Sequence, residues 1–230
     1  MIDLFVVGGG PAGLATAIHA AHAGLDVVVA EPRPTPIDKA CGEGLMPGAV
    51  RALEALGIEV PGRPLHGIRY VDAAGCEAYV TPLGPRQVGI AILTSEQLPY
   101  DAQLSRFPVL ESRLSTARRT PVRGAGPLRQ HARCRVAGRV LFVGDAAGYV
   151  DALTGEGLSL ALLGAAELVR CLSADRPQEY ERAWCRLSRG YRTLTRSLLW
   201  ARNQPRLAPL ITPAAARFPG LFQHAVNLLA

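Results

Sequence analysis

Val6-Val7-Gly8-Gly9-Gly10-Pro11-Ala12-Gly13 is the stretch on which the fold of this chain turns. The residues leading into it, Ile2 to Val7, are mostly apolar and read as a short buried strand bounded by glycine. Gly8 permits the tight turn out of that strand. Gly10 lets the backbone approach a bound group with no Cβ in the way, and Gly13 lets the next helix pack close to the sheet. Leu14, Ala15, Ala17, Ile18, Ala20 and Ala21 carry the helix to Gly24, its expected C-cap. A second strand is expected over 26–30 and ends at Glu31. Strand, glycine turn, helix, strand and acid in this order make a nucleotide-binding unit. The free helix N–H groups and the helix dipole face a diphosphate, and the carboxylate accepts hydrogen bonds from ribose hydroxyls.

A second glycine motif lies far downstream: Gly144-Asp145-Ala146-Ala147-Gly148, then Asp151-Ala152-Leu153-Thr154-Gly155-Glu156-Gly157. Val140 to Val143 reads as a short buried strand that delivers Gly144-Asp145 at its C-terminal end, where open α/β sheets hold ligands. Asp145 there can accept hydrogen bonds from a polyol chain. The loop opens a helix expected over 157–172, whose N-terminus stabilises negative charge gained by a ring system above it. Alone, this motif also reads as a glycine-rich turn with an N-capping aspartate. With the first motif, it points to FAD rather than to NAD alone.

At 230 residues the chain can hold one sizeable core, or one domain with a small appendage. No apolar run approaches the roughly 20 residues of a membrane span. The chain starts directly on a strand, without a basic n-region, so a cytoplasmic location is the expectation. Five cysteines (Cys41, Cys76, Cys134, Cys171, Cys185) are scattered and form no Cys-x-x-Cys pair, which argues against a disulfide framework or a zinc site. The histidines show no metal-ligand spacing, and no metal is expected. The net charge of +6 is almost entirely arginine, with Lys39 the only lysine. With no nucleic-acid module in the chain, solvated helix faces account for it better than a nucleic-acid partner.

Between the motifs, a proline-rich connection (residues 32–36) leads to the glycine-loosened loop Lys39-Ala40-Cys41-Gly42-Glu43-Gly44-Leu45. Pro47 suits the first turn of a helix that carries Val50, Leu53 and Leu56 and stops at Gly57. Strands are expected at Ile68–Val71, Ala78–Thr81 and Val88–Leu93, with a turn at 83–86. A helical stretch over 96–116 is interrupted at Pro108. Near the C-terminus, Tyr180, Trp184, Leu187, Tyr191, Leu194 and Leu198 form one helical stripe, opposite Arg182, Arg186, Arg189, Arg192 and Arg196. That pattern reads as a helix packed on the body with a wet arginine face. A second reading is a membrane-surface helix, its apolar surface extended by residues 214–229.

Val7 to Gly13, Lys39 to Pro47 and Gly138 to Leu160 carry a resemblance to FAD-dependent oxidoreductases that include geranylgeranyl reductases and flavin-dependent aromatic hydroxylases. Cys41-Gly42-Glu43-Gly44 leans toward the geranylgeranyl reductases. The resemblance implies a Rossmann-like FAD-binding fold with a central parallel sheet, a separate antiparallel substrate sheet and C-terminal helices. It implies that Gly8, Gly10, Pro11, Ala12, Gly13, Glu31 and Arg33 hold the ADP half, that Gly144 and Asp145 contact the ribityl-diphosphate region, and that Gly155, Glu156 and Gly157 meet the isoalloxazine. Cys41 and Gly42 fall near the flavin or substrate, which makes Cys41 the candidate catalytic residue. Glu43 could serve as a general acid, but an exposed loop carboxylate is the stronger reading.

The chain departs from that family in length. The relatives carry a larger middle segment with an Asp-Gly pair, and this chain has no Asp-Gly dipeptide. An internal deletion near 72–76 is expected to leave a reduced substrate sheet. The expected organisation is an FAD-binding domain from 1–64 with 118–172, a substrate-lobe remnant at 65–117 and a helical cap at 173–230. The expected function is reduction or monooxygenation of a hydrophobic prenyl or aromatic/polyketide-like substrate, with NAD(P)H as donor. The alternative is a non-catalytic FAD- or ADP-binding remnant.

Overall fold

The computed structural model describes residues 1–64, 76–204, 206–207 and 217. The expected strand Ile68–Val71, the 72–75 part of the expected deletion point and the apolar segment 214–229, apart from residue 217, lie outside them. Strand β1 (Leu4–Val7) leaves through the glycine turn into helix α1 (Pro11–His22), which returns to β2 (Val27–Ala30). The two strands pair in parallel, Leu4 opposite Val27 through Val7 opposite Ala30. Pro11 sits at the start of α1, where its missing N–H leaves no helical bond unmade. Gly24 takes a positive φ of 80° just beyond α1. The Leu25 N–H then reaches the Ala20 carbonyl and the Gly24 N–H the Ala21 carbonyl, which closes the helix end. Gly57 ends α2 (Pro47–Ala55) in the same way.

A long antiparallel hairpin follows, β3 (Cys76–Gly84) with β4 (Gln87–Thr94), turned at Pro85-Arg86. Short helices α3 (Tyr100–Leu104) and α4 (Pro108–Leu114) follow it, and α4 begins at the expected proline. Strands β5 (Val136–Ala137) and β6 (Val140–Leu141) form a second, two-residue-deep hairpin. Here the structure corrects the sequence reading. Val140 is 56 % exposed, and the segment joins no parallel sheet. Gly138, at φ 61°, starts a two-residue turn that folds the segment back on Val136–Ala137. Among the described residues the parallel sheet is therefore β1–β2 alone, and β3–β4 is the only long antiparallel pair.

The core is built around α5 (Gly157–Ser173). One face packs Leu168, Val169 and Cys171 with Ala20 of α1 and with Tyr180, Ala183 and Trp184 of α6 (Glu179–Leu187). The other packs Leu162 and Ala165 with Ala15 of α1, Ala49 of α2 and Leu56 at the end of α2. Small residues on α1 and α5 let the two helix backbones approach closely, so the glycine turn at the head of α1 stands beside the head of α5.

The single C-terminal helix expected from the stripe is two, α6 and α7 (Arg189–Arg202), broken at Ser188. Ser188 and Gly190 are poor helix formers at the break. The buried line runs Tyr180, Trp184, Ser188, Tyr191 and Thr195, so beyond Trp184 the leucines of the stripe flank it, half-buried. Arg192 is displaced from the wet face, its guanidinium 5.5 Å from the centre of the Trp184 ring. Arg182, Arg186, Arg189 and Arg196 remain exposed.

Candidate cofactor-binding site

The two glycine motifs, far apart in sequence, touch. A Cβ placed at Gly144 would stand 2.7 Å from the Ala12 Cβ and 3.9 Å from that of Ala161. Gly144, at φ 63°, opens a 3₁₀ turn over Gly144–Ala147 that seats against both α1 and α5. At the head of α1, a Cβ on Gly13 would overlap the Gly8 carbonyl, so only glycine lets the helix sit this close to the turn. Gly8 itself has φ 107°.

Gly10 faces open space except for one group: the Lys39 Nζ lies 3.7 Å from where its Cβ would be. The ammonium of the chain's only lysine thus sits over the position expected for a diphosphate. The Asp145 carboxyl lies within its field. Neighbouring atoms strip part of that carboxyl's water and raise its pKa, while the Lys39 charge pulls it down.

Glu31 is fully engaged. Its Oε2 accepts from the Gly9 N–H at 2.7 Å and from Arg33 Nη2 at 2.8 Å; its Oε1 accepts from the Arg33 N–H at 3.0 Å and Arg33 Nε at 2.7 Å. Those hydrogen bonds, Arg33's foremost, hold its pKa down from 4.5 to about 2. A carboxylate offers about four acceptor sites, so a ribose diol reaches Glu31 only when Arg33 yields part of its fork.

The loop after Lys39 closes the other side. Cys41 is exposed, and its Sγ accepts from the Glu43 N–H at 3.2 Å. Thr81 of β3 donates to the Gly42 carbonyl at 2.6 Å and ties the loop to the hairpin. A Cβ on Gly155, at φ 70°, would come within 3.7 Å of Met46, so the two glycine-bearing loops also meet. The Glu43 carboxylate lies over Gly89 of β4.

At the head of α5 the Tyr149 ring covers Gly157, whose Cβ would fall 2.8 Å from Tyr149 Cε2, and Tyr149 stacks on Tyr191 at 6.4 Å. Burial pushes the Tyr149 hydroxyl pKa up and that of Tyr191 up to about 12, so both remain neutral donors. Glu156 does not join the mouth. Its side chain is 2 % exposed, its Oε1 has no hydrogen-bond partner, and burial raises its pKa.

Of the expected site residues, Gly8, Gly10, Pro11, Ala12, Gly13, Lys39's neighbours Cys41 and Gly42, Gly144, Asp145, Gly155 and Gly157 gather around one mouth, with Glu31 and Arg33 at its β2 end. Lys39 and Tyr149 were not singled out by motif reasoning. The signals available were that Lys39 is the only lysine and that an aromatic residue directly follows the second motif. The glycine turn and Lys39 suit a dinucleotide diphosphate, because they offer an open backbone approach and a cation with no side chain between them.

Residues 1–64 match the FAD binding domain family. Over 56 residues, 24 % of this chain and 14 % of the relative, the chain is 57 % identical to a menaquinone reductase of Mycolicibacterium smegmatis. The menaquinone reductase of Mycobacterium tuberculosis matches over 56 residues at 54 % identity. Over 85 residues, 35 % of this chain and 21 % of the relative, it is 38 % identical to digeranylgeranylglycerophospholipid reductase 1 of Methanothermobacter thermautotrophicus. The matched stretches thus span about a fifth or less of these curated relatives. The fold is similar to that of the Diels-Alderase PyrE3 from the biosynthetic pathway of pyrroindomycins, with a TM-score of 0.58 over 98 % of this chain and 77 % of that one. At 15 % identity that likeness concerns fold alone. The sequence matches, over about a third of the chain or less, thus support the resemblance to FAD-dependent oxidoreductases of the geranylgeranyl reductase type.

Among the described residues no helix is long and apolar enough to cross a membrane, and no cluster of side chains could hold a metal ion.

Proposed function

We propose that the chain is an FAD-dependent reductase acting on a hydrophobic, prenyl-type substrate with NAD(P)H as donor. The observation that carries this reading is the contact of the two glycine motifs at Gly144 and Ala12, with Lys39 over Gly10. FAD supplies the redox chemistry when bound. The protein's part is to hold it: α1 N–H groups and Lys39 for the diphosphate, Glu31 for the ribose once Arg33 shifts, Asp145 for the polyol chain. In this reading the head of α5, where the Tyr149 ring covers Gly157, would stabilise negative charge gained by the ring system. All three curated relatives reported above are named as reductases, which favours reduction over oxygen insertion. In this reading Cys41, exposed in the loop that Thr81 ties to the hairpin through Gly42, is the thiol that would meet a substrate. Contact with a lipid surface would use the exposed Trp200 of α7 and the neighbouring arginines.

A second reading has its own support. With only β3–β4 as substrate-side sheet among the described residues, the cofactor mouth has one hairpin to keep water away. A protein of that kind could bind FAD without turning over. Purified protein loaded with FAD and mixed with NADPH under anaerobic conditions separates the two. Bleaching of the visible flavin band, restored by a menaquinone analogue, supports the reductase. A bound flavin that neither NADPH nor NADH bleaches supports the remnant, and failure to bind FAD refutes both.

A further inference from the structure

A second concave site lies on the far side of Tyr149, where four arginines and a histidine converge over Trp184. Arg129 and His131 flank Gln130. Gln130 is pinned to Tyr149 by two backbone hydrogen bonds, of 2.9 and 3.1 Å, so its neighbours are presented together on one side. Arg192 and Arg196 stand one turn apart on α7, a like-charged pair that is destabilising unless an anion lies between. Arg135 forms the floor, its guanidinium 4.1 Å from the Trp184 ring centre and its Nη1 3.0 Å from Glu181 Oε1. Glu181 is the one carboxylate paired with any of these arginines among the described residues, so the cleft carries an uncompensated positive charge. Its enclosed part is about 30 Å³, and its mouth is open. An open mouth of that kind seats a small phosphoryl group against the floor and leaves the rest of the ligand outside.

We propose that this cleft is a binding site for a phosphate or diphosphate group. Arginine forks suit phosphate oxygens, and the buried Arg135–Trp184 stack fixes the floor in place before an anion arrives. Tyr149 walls this cleft and also covers Gly157 at the head of α5, so a phosphorylated molecule anchored here is held beside the cofactor mouth. The proposal stands on the cleft alone, and a protein that binds no FAD can still pass its test.

The test uses Trp184 fluorescence in a Trp200→Phe background, where Trp184 is the only tryptophan left. Arg192 lies over its ring, so an anion that draws Arg192 aside changes the signal. Pyrophosphate and inorganic phosphate are titrated at constant ionic strength. Vesicles of phosphatidic acid or of phosphatidylcholine are tested by co-sedimentation, to separate a free phosphate from a lipid head group. Arg129→Gln and Arg196→Gln each remove an exposed cleft cation, and Arg182→Gln removes an exposed arginine outside the cleft. Saturable pyrophosphate binding, weakened about tenfold by each cleft variant and unchanged by Arg182→Gln, is the expected result. Binding only to phosphatidic acid vesicles, with the same variant pattern, supports the site and assigns the phosphate to a lipid. Equal binding by all three variants, or no saturable binding of pyrophosphate, inorganic phosphate or phosphatidic acid vesicles, overturns it.

Discussion

The contact between the two glycine motifs can be measured as an energy. Gly144→Ala places a Cβ 2.7 Å from the Ala12 Cβ, and real Cβ contacts essentially never fall below 3.0 Å. The head of α1 and the 144–147 turn must therefore part. Overpacking of this kind costs about 1–3 kcal/mol. The variant also forces an L-residue to φ 63°, which costs about 1–2 kcal/mol more. The expected loss of stability is thus about 2–5 kcal/mol, measured by urea unfolding. Ala12→Gly tells the two contributions apart. Alone it costs at most about 1 kcal/mol of helix propensity. Combined with Gly144→Ala it removes the clash but not the backbone strain, so the double variant should recover about 1–3 kcal/mol relative to the sum of the singles. FAD affinity should follow, since separated motifs no longer present the α1 N–H groups and Asp145 to one ligand. Single-variant energies that add within about 0.5 kcal/mol would mean that the motifs do not touch, and the cofactor mouth described here would be wrong.

Three further outcomes follow from the site. Lys39→Met should weaken FAD binding and flatten its dependence on salt; it should also raise the Asp145 pKa further, since the Lys39 charge holds it down, and an NMR titration of Asp145 reads this directly. Glu31 has its pKa lowered from 4.5 to about 2, so the stability it contributes is complete above 4.5 and is lost as pH falls from 4.5 toward 2; Glu31→Gln should flatten that acid limb in thermal melts. Glu156 has the opposite sign: burial raises its pKa above 4.5, the folded state binds the proton more tightly, and ionisation destabilises the fold as pH rises through that window. Glu156→Gln should therefore gain stability at pH 8 relative to pH 4, and a pH profile identical to the parent's would show that the carboxyl is not buried.

What could be read from sequence was local, and what could not depended on chain reversals and on charge. Gly24 and Gly57 declare helix ends because a positive φ after an apolar helical run has few other uses, and both close their helices as expected. The strand over 140–143 misled because Val140-Leu141-Phe142-Val143 has the composition of a buried parallel strand. The two residues that redirect it, Gly138 and Arg139, form a turn only because Val136-Ala137 waits on the other side. The stripe on the last helices was right at Tyr180, Trp184 and Tyr191, while Ser188 and Thr195 take the buried places beside Leu187 and Leu194. Ser188 and Thr195 are both fully buried, and Thr195 meets Thr154 Oγ1 at 3.2 Å, so a polar contact rather than leucine fixes the facing of α7. Lys39 shows the limit most clearly. A glycine motif states where a diphosphate fits, but the cation over Gly10 arrives from a loop that has no repeating pattern, and only folding brings it there. The same holds for the arginine cleft. Arg192 and Arg196 read as part of a solvated face until the segment bearing Arg129 is bridged to Tyr149 through Gln130, and surface charge then becomes a concave site beside the cofactor mouth.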